Sequence, residues 1–459
     1  MGLLFYPRGG SAHVARNLAT ALPGAGWDVT ILSGSVTLPN HPGDARTFYE
    51  DLDVHPVDMT RALQSPDPLA CHPPMHPSYE DRPGAPDRVF ARLDDEDAEH
   101  QITAWTRALQ SLDAASFDVL HLHHLTPIYE AAARVAPHVP IIGHLHGTEL
   151  LMLEAIEEDP HRWPYGPAWA ERLRGWAQSA HRLIVLTESA IDRAERLLGI
   201  DPERCVQVSN GFNPDHFGPR HLDHRALWRR MLVDEPRGWA PNEEPGSISY
   251  PPEALDAFCD GTGETPVLLY VGRYTEVKRI PLLIEAYERA RPGFNRRSPL
   301  VIVGGFPGEW EGEHPYDTVR RIGAHDVFLA GWHDHHELAD ILAATDVIVL
   351  PSVREQLGQV LVEGMACGLP PIAVDAYGPA DIVDHGETGW LVEPDDVGSL
   401  TNALVEAVNR PGERRRRGAN AVEVAHRRYS WPALAKQVAE IYDEAADATS
   451  LRVNAVLSG

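Results

Sequence analysis

Ten short apolar runs, each leading into a stretch with helical periodicity, constrain this chain more than any other feature. In the first half they are 3–6 (LLFY), 28–32 (DVTIL), 118–122 (DVLHL), 140–146 (PIIGHLH) and 182–187 (RLIVLT). In the second half they are 266–272 (PVLLYVG), 300–305 (LVIVGG), 326–331 (DVFLAG), 346–351 (DVIVLP) and 370–375 (PPIAVD). Runs this short and this apolar, alternating with amphipathic helices, read as buried parallel strands of doubly wound α/β sheets. A length of 459 residues is too great for one ordinary core. Two such sheets are therefore expected.

The runs fall into two groups because 218–265 is rich in Pro, Gly and acids and carries no strand pattern. The expected organisation is a first domain over 1–217, a connection over 218–265, a second domain over 266–428, and a helix with its tail over 429–459. A polar insertion at about 39–100, with many prolines and the acidic run LDDEDAEH, reads as an exposed, partly mobile excursion. The stretch 429–445 has the pattern of an amphipathic helix.

The net charge of −27, from 67 acids against 40 bases, repels nucleic acid, so no such partner is expected. An anionic ligand would need a local basic pocket. The four cysteines (Cys71, Cys205, Cys259, Cys367) are too far apart for metal spacing or a disulfide framework, which suits a reducing cytoplasm. No apolar run is long enough for a signal peptide or a membrane span.

Against that acidic background, 271–281 (VGRYTEVKRIP) holds Lys278, one of only two lysines among 40 basic residues. Arg273 follows a strand, Lys278 precedes a helix, and Pro281 suits a first helical turn. Ligands of open α/β sheets gather at carboxyl ends of strands, and helix amino ends favour anions. An Arg fork and a Lys point charge five residues apart can clamp a diphosphate. The alternative is a solvated pair on a loop.

After the strand in 346–351 comes PSVREQLGQVLVEGMACGLP, 351–370. A helix is expected from near Gly358 to Gly368. The amides of Leu357, Gly358, Gln359 and Val360 would lack intrahelical partners. Glu355 is explained by the helix dipole alone. Glu363 is harder to explain, because it interrupts an apolar helix and a buried unpaired carboxylate is costly. The vicinal hydroxyls of a ribose would satisfy it.

Glu355 and Glu363 with Gly358 between them, Arg273 and Lys278 after YVG, and AYGPADIVDHGETGWLVEPDD (376–396) together resemble retaining glycosyltransferase family four. The resemblance implies the GT-B fold: two Rossmann-like doubly wound domains facing a cleft, with the C-terminal helix crossing back to the first. It implies that Arg273 and Lys278 grip the donor's diphosphate, that Glu363 takes the ribose hydroxyls, and that Glu355 with the backbone of Leu357, Gly358 and Gln359 holds the transferred sugar or a phosphate. Leu357 stands where the family usually has Phe, and Asp381 where Glu is commoner.

In the first half, Gly9 and Gly10 lie between a strand and a helix. The pattern is not G-x-G-x-x-G, which disfavours a nicotinamide enzyme. In the resembled family such a loop approaches the donor phosphates. His146, in IGHLHGTELL (142–151), matches the family's His-Gly segment, where the His lies beside the transferred sugar. Glu149 is then a candidate acceptor contact. Asn213, in VSNGFNPDHF (208–217), stands in the family's hinge turn.

The expected activity is transfer of a sugar from a nucleotide-diphosphate sugar donor to a small-molecule, saccharide or lipid acceptor, with retention and without metal or other cofactor. His146, Arg273, Lys278 and Glu355 are the candidate catalytic residues. A sugar-nucleotide epimerase and a non-catalytic sugar-nucleotide-binding protein are the alternatives on the same fold. A pyridoxal phosphate phosphorylase lacks a suitable lysine. The histidines of HLHHL (121–125) are expected to be solvated or core-packed, since His121 and His123 lack an evident third ligand. RRRR (414–417) reads as a solvated face. The tryptophans of 162–182 read as part of an amphipathic helix, with an acceptor groove or a membrane surface as alternatives.

Overall fold

The chain divides into two compact units, Met1–Ser209 with Trp431–Gly459, and Asn210–Ser430. The computed structural model describes residues 1–7, 9–39, 41–81, 87–259 and 265–457, with side chains as far as 449.

The first unit holds a seven-stranded parallel sheet in the order β3-β2-β1-β4-β5-β6-β7. Its strands are β1 (Gly2–Leu3), β2 (Thr30–Ser35), β3 (Asp53–Asp58), β4 (Leu120–His123), β5 (Ile141–His144), β6 (Arg182–Val185) and β7 (Cys205–Gln207). The second unit holds a six-stranded parallel sheet in the order β10-β9-β8-β11-β12-β13. Its strands are β8 (Leu268–Gly272), β9 (Leu300–Gly304), β10 (Val327–Gly331), β11 (Val347–Leu350), β12 (Pro371–Val374) and β13 (Trp390–Val392). Each of the ten apolar runs contributes a strand, because a strand buried on both faces needs apolar side chains throughout. The shortest is β1, where the chain leaves the sheet after Leu3.

The insertion at about 39–100 is not an exposed excursion. β3 extends the sheet, and Met59, Met75, Tyr79, Val89 and Phe90 are buried. The acidic run opens the helix Asp95–Ser111. The Asp94 carboxylate accepts from the amides of Glu96 and Asp97, and three acids occupy the first turn, where the helix dipole favours them. The 218–265 stretch is likewise core rather than connection: Trp228, Met231, Leu232, Trp239 and Leu255 pack into the second unit. Residues 40, 82–86 and 260–264 of these two stretches lie outside the described residues.

The helix Trp431–Leu457 returns to the first unit. There Trp431, Leu434, Val438 and Tyr442 pack with Val14, Leu18 and Leu22. Trp163, Trp169 and Trp176 are all buried in the same unit; Trp169 and Trp176 lie on the helix Gly166–Ser179, a packing element, and Trp163 precedes it. The RRRR run is only half solvated. Arg414 and Arg417 are buried; Arg414 donates to the Ala407 carbonyl at 2.8 Å, and Arg417 lies 4.1 Å over the Trp390 ring. Among the described residues, no helix is long and apolar enough to cross a membrane.

Candidate active site

In the second unit, β8 and β11 are adjacent parallel strands, so their carboxyl ends emerge side by side. After β8, the Tyr270 hydroxyl donates to the Arg273 carbonyl at 3.0 Å, which fixes the backbone beneath an exposed Arg273 side chain. Lys278 lies in a 3-10 turn, Glu276–Lys278, one residue short of the helix Ile280–Ala290. Arg279 joins turn to helix in the left-handed region at φ 54°, so Lys278 is not on the helix itself. The Val277 carbonyl accepts from the Val353 amide at 3.0 Å and from the Ser352 hydroxyl at 3.3 Å. These bonds tie the lysine's turn to the loop after β11. Across that junction Lys278 Nζ pairs with Glu355 Oε2.

The helix Gln359–Ala366 starts where the sequence places it. Gly358 caps it at φ 86°, a conformation that favours glycine. Among the described residues, none accepts from the amides of Leu357, Gly358, Gln359 or Val360. The 376–396 segment supports this loop sterically. A Cβ on Gly378 would sit 2.3 Å from the Gln356 carbonyl oxygen and 2.4 Å from Leu357 Cα, and the Gly378 amide donates to the Glu355 carbonyl at 3.2 Å. Gly378 thus supports the 355–358 loop, a role that the motif contained but spacing alone did not explain.

Glu363 is 3 % exposed. It is not unpaired, contrary to the expectation: its Oε1 lies 3.0 Å from His335 Nε2 and accepts from the Gln359 side chain at 3.3 Å. Gln359 Nε2 also donates to the Gly211 carbonyl at 2.9 Å, beside Asn213 of the hinge-like segment. His335 lies in the histidine-rich stretch WHDHHEL, 332–338. Its side chain is mostly exposed, so it covers a carboxylate that a ligand could reach in its place.

In the first unit, Gly9 caps the helix Gly10–Ala21 in an extended conformation (φ −150°, ψ −178°). Among the described residues, and apart from the chain neighbours, no atom lies within 4 Å of a Cβ built on Gly9 or Gly10. Neither backbone strain nor packing therefore requires glycine here, whereas close approach of a ligand to a helix amino end would.

His146 follows β5 and is half-buried. Burial, and then the neighbouring His124, His144 and His121, hold its pKa well below the ordinary value. Glu149 is a correction. Its carboxylate is fully buried, 3.3 Å from His124 Nδ1, and accepts from the His146 amide at 3.3 Å and the Thr148 hydroxyl at 3.2 Å. Burial pushes its pKa up, but His124 and the backbone donors outweigh that and hold it below the usual carboxylate range. Such a group shapes the 146–149 turn rather than meeting an acceptor.

The third imidazole, not evident from the sequence, is His144. One nitrogen from each of His121, His123 and His144 lies within 4.8 Å of the others. The rings are nearly parallel, at 10° for His121 with His123 and 13° for His121 with His144. His121 Nε2 and His144 Nδ1 face each other at 3.2 Å as a hydrogen-bonded pair.

A family model described as Glycosyl transferases group 1 matches residues 260–424, and one described as Glycosyltransferase Family 4 matches residues 8–216. The chain is 30 % identical over 387 residues to D-inositol 3-phosphate glycosyltransferase 2 of Catenulispora acidiphila, covering 81 % of this chain and 82 % of that one. In fold it is similar to sucrose-phosphate synthase of Thermosynechococcus elongatus, with TM-score 0.61, 21 % identity, and 97 % and 99 % of the two chains covered. It is also similar to Anabaena HepE in complex with UDP and glucose, with TM-score 0.59, 17 % identity, and 96 % and 99 % covered.

Proposed function

The chain belongs to glycosyltransferase family 4, a family of GT-B fold, and on that premise we propose that it moves a glycosyl group from a nucleoside diphosphate sugar to an acceptor hydroxyl with retention of configuration. The observation that carries the donor assignment is the junction of Lys278, Glu355 and exposed Arg273 beside the free amides of 357–360. Two cations, a helix amino end and a carboxylate at one strand edge suit a diphosphate joined to a sugar. Glu363 is assigned to the ribose hydroxyls, replacing its contact with His335.

In the proposed reaction the bond from the anomeric carbon to the diphosphate oxygen breaks, and charge grows on the leaving phosphate. Arg273 and Lys278 stabilise that charge, so they lower the barrier as well as bind. The acceptor hydroxyl attacks from the same face, and its proton passes to the departing phosphate oxygen. No enzymic nucleophile, metal or other cofactor enters this scheme. His146 is assigned to a hydroxyl of the transferring sugar.

The name of the Catenulispora relative makes an inositol phosphate the first acceptor to try. The test has two steps. Thermal-shift screening of nucleoside diphosphate sugars selects a donor; NMR of the product made with inositol 3-phosphate and other polyols then reports the anomeric configuration. An inverted product, or no donor-dependent stabilisation at all, would refute the reading. A new sugar nucleotide formed without acceptor would point to epimerisation instead.

A further inference from the structure

β4 and β5 run parallel with His123 opposite His144, so His121 and His123 on one strand meet His144, and His146 just beyond it, in an array of four imidazoles. The rings form two hydrogen-bonded pairs. His121 Nε2 lies 3.2 Å from His144 Nδ1, and His123 Nδ1 lies 3.0 Å from His146 Nε2. The members of each pair lie within 17° of parallel, and the two pairs stack, with centroids 4.6 Å apart for His121 on His123 and for His144 on His146.

A hydrogen bond between two neutral imidazoles needs one nitrogen protonated and the other bare. For His123 and His146 the choice is set by the far side of His123. Its Nε2 is buried and has no hydrogen-bond partner among the described residues. A proton there would be a donor buried without an acceptor, while the Nδ1 proton would be missing from the 3.0 Å contact unless His146 supplied it. Placed on Nδ1, the single proton makes the bond and leaves only a bare nitrogen in the core. Orphaned buried N–H groups are the rarer defect.

We propose that His123 is a positioning residue: it donates from Nδ1 to Nε2 of His146, fixes His146 as the Nδ1–H tautomer, and thereby makes the proposed active-site histidine a hydrogen-bond donor to a hydroxyl oxygen, not a base. His146 Nδ1 has no partner among the described residues, and the side chain is partly exposed, so this N–H is the polar group it offers a ligand. The inference rests on the proposed role of His146 in sugar transfer. The tautomer itself is independent of that role.

The experiment pairs a direct readout with isosteric variants. In the wild-type protein labelled with 15N-histidine, long-range proton–nitrogen correlation spectra should show His146 protonated at Nδ1 and bare at Nε2. Asparagine carries its amide nitrogen near the Nδ1 position and glutamine near Nε2. His146→Asn should therefore keep turnover within about tenfold of wild type, while His146→Gln falls by roughly a hundredfold, the range set by loss of one well-placed donor. At the neighbouring position, His123→Asn retains the donor and should rescue kcat relative to His123→Phe. A spectrum with His146 protonated at Nε2, or Gln outperforming Asn at 146, would overturn the proposal. Should the variants not fold, the wild-type spectrum decides alone. Should the protein transfer no sugar, the proposed function fails while the spectrum still judges the tautomer.

Discussion

Lys278 and Glu355 meet at the carboxyl edge of the second sheet, with side chains only 15 % and 18 % exposed. Seventy-seven residues separate them in the chain, and two backbone-directed bonds to Val277 bring them together. The pair makes each residue dependent on the other. Removing the lysine strips the diphosphate site of a cation and leaves a carboxylate facing the anion. Lys278→Ala should lower kcat/KM by about a hundredfold or more, the effect of losing one preorganised contact to developing charge. Lys278→Arg should retain measurable donor binding but lose turnover, because a planar fork cannot occupy the ammonium position. Steady-state kinetics and calorimetry with the donor check both. Full turnover of Lys278→Arg would refute the point-charge role.

The same pairing has a stability consequence. A half-buried carboxylate without its partner is worse than no charge at all. Lys278→Ala/Glu355→Gln should therefore melt closer to wild type than Lys278→Ala alone. Thermal unfolding of the two variants measures this, and a double variant less stable than the single would contradict it.

Glu363 separates a structural from a ligand-binding carboxylate. Its contacts to His335 and Gln359 already satisfy one oxygen. If it takes the ribose hydroxyls, Glu363→Gln should weaken nucleoside diphosphate binding by roughly tenfold to a hundredfold, since hydrogen bonds to charged groups contribute about 1.5–3 kcal/mol. His335→Ala should leave that affinity intact, because His335 is the group displaced. Titration calorimetry with the free nucleoside diphosphate is the measurement. Unchanged affinity in Glu363→Gln would assign the residue to packing only.

Two glycines give opposite expectations. Gly378→Ala drives a Cβ to 2.3 Å from the backbone oxygen of Gln356, so the 355–358 loop must move. It should cost about 1–3 kcal/mol of stability, as overpacking does, and lose most activity. Gly9→Ala meets no atom within 4 Å among the described residues beyond its chain neighbours and sits at an ordinary extended φ. Its melting temperature should match wild type, while its KM for donor rises if the loop lies against the phosphates. Melting curves beside donor kinetics distinguish the two cases.

What was legible in the sequence follows from the range of the interactions. Strands buried on both faces announce themselves as apolar runs, so the centres of both sheets could be read. Of the four edge strands only β10 could be: β3 reads DVHPVD, with Pro56 tolerated because an edge strand has one free side. Met59, Met75 and Tyr79 are too widely spaced to show local periodicity, and only tertiary packing reveals them as core. Lys278 stood out as a rare lysine on an acidic, arginine-rich chain and Glu363 as a carboxylate inside an apolar helix, while Glu355 and Gly358 came with the family motif. Glu149 came only with the His-Gly segment of the resemblance, and the partner that explains it, His124, lies on another loop. The imidazole array was invisible for want of a register: it depends on His123 lying opposite His144.

That array predicts acid sensitivity. His121, His123 and His144 are fully buried, and burial first, then neighbouring imidazoles, holds the first two well below the ordinary value; for His144, burial and then His124 lower it to about 3. In the unfolded chain each titrates near 6.5. Below that pH the unfolded state binds protons that the native state refuses, so stability falls as pH falls. Each residue should cost about 1.4 kcal/mol at pH 5.5, about 4 kcal/mol for the three, a large share of the usual 5–15 kcal/mol. His314, lowered by burial to about 4, adds to the loss, whereas Glu149 contributes only below about 4.5. Urea midpoints should therefore drop steeply between pH 7 and 5.5. His144→Gln, which removes one of these sites, should make that dependence shallower by about one proton's worth. Stability independent of pH across this window would mean the rings titrate normally and are not held as neutral, stacked pairs.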